Sequence, residues 1–226
     1  MLAPNRSHWG VDQWVAFLKD KDIPIMPGSR MILMVMGESQ GDEMAPKDLA
    51  RVLTGDPLLA IRLLRAAEHH RSRNLGREST TPLAAIMQTG LDGLLALVKK
   101  SPLCDDSIQG LAECAFRAAT ASYLARRWAA GRADVSPEEV ALAALLADIG
   151  EMMLWHFASD IPAAVQEELR TGRAMRGIQA QQQVAGFTFK SLSLALATAW
   201  ELPPLISLLI RGVDFFWGEI SLISCS

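Results

Sequence analysis

Cysteine is scarce and poorly spaced for chemistry. The 226 residues hold only Cys104, Cys114 and Cys225, with no CxxC pair and one cysteine left over. That argues against a disulfide scaffold and a thiolate zinc site, and it points to a reducing, cytoplasmic setting. Histidine is equally thin, with His8, His69, His70 and His156 the whole supply. Basic charge is not in excess. Lys plus Arg is 22, Asp plus Glu is 25, and the net charge is −3 with a pI near 5.8. A general phosphate-backbone binder would need a basic face, so nucleic acid is not the expected partner. The most apolar stretch, Leu192–Ile223, is broken by Glu201, Pro203, Pro204, Arg211 and Asp214. A membrane-spanning helix needs about 20 nearly uncharged residues, so none is expected. No apolar segment follows Asn5, Arg6 and His8, so no signal peptide is expected either. Alternating strand-type runs and internal repeats are also missing.

What is present is core-forming material. Half of the residues are hydrophobic and 21% are charged. That excludes disorder, and the length suits one domain with two lobes. The apolar pattern is helical nearly throughout. Val11, Trp14, Val15 and Leu18 share one helix face. Ile23-Pro24-Ile25-Met26-Pro27 ends that helix, and Met31–Met36 reads as another. Three further starts share one device: Asp56-Pro57, Thr81-Pro82 and Ser136-Pro137. Each sets a capping oxygen before a proline that has no N–H to leave unpaired. At Ser136, Glu139 completes a capping box.

These signals predict helices near 57–73, 82–89, 91–100, 106–130, 137–156, 162–171, 175–186, 189–201 and 204–211. Gly90, Gly131 and Gly172 are expected at left-handed positions after helix ends. The helix from Ser136 is apolar all round and should be central. Ser101-Pro102 is the expected seam. Residues 1–226 then form one domain, with an N-terminal lobe at about 10–101, a C-terminal lobe at about 102–212 and a tail at 213–226.

Candidate chemistry is sparse. Gly37-Glu38-Ser39-Gln40-Gly41 has the form of a nucleophile elbow, and Asp148 and His156 follow in triad order. An elbow needs a strand before it and a helix directly after. The residues to Pro46 look like loop instead, so a glycine-bounded loop is expected. His69 and His70 are neighbours on one helix, about 100° apart, and cannot face one metal. They sit among Arg62, Arg65, Arg71, Arg73 and Arg77, against the single acid Glu68. This is a solvated basic rim, or a site for an anionic partner built from Arg65, His69, His70, Arg71, Arg73 and Arg77.

Asp148, inside Leu145-Leu146-Ala147-Asp148-Ile149-Gly150, is the most informative residue. A carboxylate in an apolar helix must satisfy a helix end, a buried donor or an ion. Arg117, Arg126 and Arg127 are candidate partners. His156 is about 12 Å further along the axis, too far to share an ion with it. Trp128, Trp155 and Trp200, at helix ends, read as core anchors.

In their order and spacing these pieces resemble the HDOD domain, a bacterial relative of the HD-domain phosphohydrolases. The likeness runs from Trp14 to Ile210. It rests on Ile23-Pro24-Ile25-Met26-Pro27, Asp48-Leu49-Ala50-Arg51-Val52-Leu53-Thr54-Gly55-Asp56-Pro57, Thr81-Pro82-Leu83-Ala84-Ala85-Ile86, Leu145-Leu146-Ala147-Asp148-Ile149-Gly150 and Ala199-Trp200-Glu201-Leu202-Pro203. Ala147 stands where the parent family has histidine. Glu113 and Phe189 stand where relatives often have it, and Gly212-Val213 replaces a frequent His-His.

The resemblance implies an all-α, two-lobed fold with an HD-like C-terminal lobe. It also implies a non-catalytic signal-transduction module that binds protein or ligand between its lobes, without cofactor. A degenerate phosphohydrolase acting on nucleotides, with Asp148 and Glu113 as weak vestigial metal ligands, is the alternative. An anion or nucleic-acid binder using the Arg65–Arg77 rim is a third reading. The tail, with Phe215-Phe216-Trp217, departs from the family and would be an association surface for a homodimer.

Overall fold

The computed structural model describes residues 9–40, 45–74, 79–105 and 107–212. Helices account for nearly all the regular structure among them. In chain order these are α1 (Val11–Leu18), α2 (Pro27–Gln40), α3 (Pro46–Leu53), α4 (Pro57–Asn74), α5 (Pro82–Lys100), α6 (Gln109–Ala129), α7 (Pro137–Leu146), α8 (Ile149–Phe157), α9 (Asp160–Arg170), α10 (Gly177–Ala185) and α11 (Phe189–Ala199). Helical backbone resumes over 204–212. The strand-like contact among the described residues is one isolated bridge between Ile25 and Leu103.

The proline-led starts form as the capping chemistry dictates. Thr81 Oγ1 accepts from the Ala84 N–H at 3.1 Å, and Ser136 Oγ from the Glu139 N–H at 3.4 Å. Glu139 turns its carboxylate away from the box, toward Thr80 Oγ1 at 2.7 Å, and so ties α7 to the start of α5. Asp56 does more than cap. Its Oδ1 accepts from the Leu59 N–H at 2.9 Å and its Oδ2 from the Met26 N–H at 3.0 Å, thirty residues away. The side chain is fully buried. Burial pushes its carboxyl up from the ordinary range, and the donated hydrogen bonds pull it back. Asp56→Ala should therefore cost about 3 kcal/mol, a lost cap plus an unpaired buried N–H. Asp56→Asn should recover only part of that, since its amide offers one acceptor oxygen for two donors. Urea unfolding of the three proteins checks the order.

α2 to α5 pack together, with α5 touching α2, α3 and α4. α6 to α11 form a second group, in which α7 lies on α6 and α11 on α8. α7 is central, as its sequence requires: all residues from Val140 to Leu146 are buried. α1 precedes the first group in the chain but packs on α11. Phe17 also meets Phe157 edge to face.

Some local expectations change. The single helix expected at 137–156 is two helices, because Asp148 leaves the helical ladder at φ −98°, ψ 15°. Among the described residues, the apolar stretch Pro137–Phe157 is long and apolar enough to cross a membrane by length and composition; it is mostly buried in the core. α3 went unpredicted, since Ala45 offers no capping oxygen and only two of its residues, Leu49 and Leu53, are buried. Gly90 and Gly172 adopt positive φ as expected, whereas Gly186 rather than Gly131 supplies the third left-handed turn. Trp155 and Trp200 are buried anchors, but Trp128 is only partly covered, with Arg132 over its ring.

Candidate functional site

The break at Asp148 creates the first candidate site. With its backbone at the start of α8, Asp148 presents its carboxylate to α6, where Arg117 Nε meets Oδ2 at 3.1 Å. Arg117 Nη2 meets Glu151 Oε2 at 2.7 Å and Cys114 Sγ at 3.2 Å. The Trp155 indole N–H donates to the other oxygen of Glu151 at 3.3 Å. One guanidinium thus joins two carboxylates and a buried thiol.

Cys114, Asp148 and Glu151 hold ligand-type atoms within 4.8 Å of one another. They do not suit a hydrolytic metal. Histidine is absent from the set, and Arg117 places a fixed cation among the three. Burial pushes the Cys114 thiol far up, away from the thiolate a metal needs. Burial also raises Glu151, against the pull of Arg117.

Glu113 lies apart from this cluster, exposed on α6 and accepting from the Gln109 amide at 2.6 Å. The clustered ligand-type atoms on α6 come instead from the neighbouring Cys114, which is buried. His156 sits at the far end of α8 against Phe157, at 4.5 Å between ring centroids. Ser39 lies in helical backbone within α2, so no elbow forms there; Gly41 lies outside the described residues. Sequence reasoning reached Asp148 and offered Arg117. It missed Glu151 and Cys114. The available signal was the i, i+3 spacing of Asp148 and Glu151 on an otherwise apolar segment.

The second candidate is a cleft of about 590 Å³ where the end of α1, α4 and the end of α11 meet. Its rim includes Lys19, Arg65, His69, Trp200 and Glu201. The Lys19 carbonyl accepts from the Trp200 indole at 3.1 Å and from Arg65 Nη2 at 3.2 Å. Arg65 also lies over the Trp200 ring, 5.2 Å from its centre. Arg62 donates to Asp22 at 2.8 Å and to the Ile23 carbonyl at 2.6 Å. The two arginines of the predicted rim that fall here are therefore drawn back into the protein. His69 stays exposed at the cleft. His70, Arg71 and Arg73 belong to the last turns of α4, with side chains outside the described residues, as is Arg77. The tail 213–226 lies outside them too.

Glu201, at the cleft's edge, has φ 54°, the positive-φ non-glycine residue among those described. The Glu201 N–H reaches the Thr198 carbonyl and the Leu202 N–H the Ala197 carbonyl, closing α11 beneath Trp200.

Two packed groups of helices, with Asp148 at the break between α7 and α8 and an arginine where the ligand-type atoms converge, define the class. The HDOD domain model matches residues 23–214, and the chain belongs to that family. Among solved structures it is similar to the MmoQ response regulator from Methylococcus capsulatus str. Bath. That match has 19% identity over 87% of this chain and 76% of that one, with a TM-score of 0.67. It is also similar to a virulence factor from Campylobacter jejuni subsp. jejuni, with 16% identity over 91% and 74% of the two chains and a TM-score of 0.71. At such identities the likeness is one of fold. Comparison with curated proteins finds no match.

Proposed function

We propose that the chain is a non-catalytic regulatory module that works by binding a signalling partner between its two helical groups. The observation carrying this reading is Arg117. Its guanidinium bonds at once to Asp148, Glu151 and Cys114. A hydrolytic ion among those atoms would have to displace a cation already satisfied by two carboxylates, without histidine to compensate. The family supports the same reading, because it resembles HD phosphohydrolases without their ligand set.

The binding surface in this reading is the cleft between α4 and α11. Its floor is fixed by the Lys19 carbonyl, which holds α1, α4 and α11 together. A partner that altered the Arg65–Trp200 stack would change how the two groups pack, and this is the proposed route of the signal.

The experiment has two arms. Chain loaded with manganese or iron and then desalted is expected to retain substoichiometric metal and to turn over no phosphodiester. Stoichiometric metal with turnover would overturn the reading in favour of a degenerate phosphohydrolase. In the second arm, Lys19→Glu alters the charge at the cleft while keeping the carbonyl that builds it. Partners captured by the wild-type chain should be lost from this variant. Retention of every partner would move the binding surface elsewhere.

A further inference from the structure

Helix α6 packs inward through Leu111, Cys114, Ala118, Ser122 and Ala129. Its opposite face is exposed at Glu113, Phe116, Thr120, Tyr123 and Arg127. These positions follow one another at intervals of 3, 4, 3 and 4, the seam of a helix that pairs with another helix. Phe116 is 76% exposed, Tyr123 58% and the adjacent Leu124 44%. Single apolar residues at a surface need no explanation, but three on one short stripe do.

The order of the residues along the stripe identifies the occupant. We propose that this face binds a second copy of the same chain, α6 against α6, antiparallel about a twofold axis at Thr120. Positions equidistant from Thr120 then meet. Glu113 faces Arg127 of the second copy, and Phe116 faces its Leu124. Arg117 comes opposite Tyr123 of the second copy, with its guanidinium turned inward to Asp148 and Glu151. Thr120 meets itself, and its small side chain lets the helix axes approach to about 8–10 Å. A parallel pair would set Glu113 against Glu113 and Arg127 against Arg127, so the charges select the antiparallel arrangement.

An isologous contact of this kind closes on itself as a dimer. α6 is about 31 Å long, and one helix pair covers less than the ~800 Å² per partner of a standard interface. The dimer is therefore weak, with a dissociation constant on the order of 10–100 µM.

Sedimentation equilibrium of the full chain, from about 1 to 500 µM, tests this. The wild-type chain should show a reversible monomer–dimer equilibrium in the stated range. Phe116→Glu should weaken it by about tenfold or more. Glu113→Arg and Arg127→Glu should each weaken it, and the double variant E113R/R127E should restore it. All three positions are exposed, and unchanged helical circular dichroism and melting confirm that the variants fold. A chain that stays monomeric at the highest concentration overturns the proposal. So does a dimer indifferent to Phe116→Glu, which would be held by the tail or another face. A charge swap without rescue overturns it as well.

Discussion

Gly150→Ala is expected to lower the melting temperature by about 6–12 °C, the shift that some 3 kcal/mol produces in a chain of this size. The reason is a crossing with no room for a methyl group. A Cβ at Gly150 would lie 2.6 Å from the Phe189 carbonyl oxygen and 2.8 Å from the Ser193 nitrogen. Both obstacles are backbone of α11, so no side-chain rotation relieves them. The Gly150 N–H itself donates to Ser193 Oγ at 2.9 Å, and that hydroxyl donates onward to the Phe189 carbonyl at 3.1 Å. Ser193→Ala should accordingly cost less, about 1–3 kcal/mol, for leaving one buried N–H unpaired. Scanning calorimetry of both variants checks the ranking. If Gly150→Ala melts with the wild-type chain, α8 and α11 do not approach so closely.

Arg117→Ala is expected to cost about 1–3 kcal/mol near neutral pH, between the values for exposed and buried ion pairs. The intermediate figure reflects geometry: the Arg117 side chain is 52% exposed and that of Glu151 only 17%. The pH dependence is the sharper test. In the folded protein Glu151 titrates above its ordinary 4.5, because burial opposes its charge more than Arg117 favours it. A carboxyl raised in this way favours the folded state below the unfolded value, and that contribution is lost as pH rises through the folded value. Removing Arg117 raises the folded value further. The deficit of the variant should thus be greatest near neutrality and shrink as the pH falls toward about 5. Denaturant titrations at both pH values measure it. In a Glu151→Gln background the cost of Arg117→Ala should lose most of this pH dependence; a deficit that grows on acidification would contradict the assignment.

The interior of the helices was largely legible in the sequence, and so were most of their ends. Asp56, Thr81 and Ser136 announce helix starts because a cap acts within three residues of itself. Gly90 marks the kink in α5 for the same local reason, as its φ of 74° suits a residue without Cβ. The all-apolar helix from Pro137 announced a central position, which the burial of Val140 to Leu146 bears out. α3 escaped because its start lacks a capping side chain and its buried face is narrow.

Residues far apart in the chain decided the rest. Sequence alone required that Asp148 have a partner, since a carboxylate in apolar surroundings needs compensation. It left Arg117, Arg126 and Arg127 as equals. Only the packing of α6 on α8 selected Arg117 and added Glu151 and Cys114; Arg126 pairs with Glu138 instead. The break at Asp148 was equally out of reach, because the Gly150 N–H is answered from α11, 43 residues on. Likewise the cleft depends on the Lys19 carbonyl and the Trp200 indole, 181 residues apart, a meeting that no local pattern encodes. Hydrogen bonds within a helix turn are set by neighbouring residue types, so the chain itself determined the helices. Which side chains converge between helices depends on how buried faces stack, and that the tertiary structure alone decided.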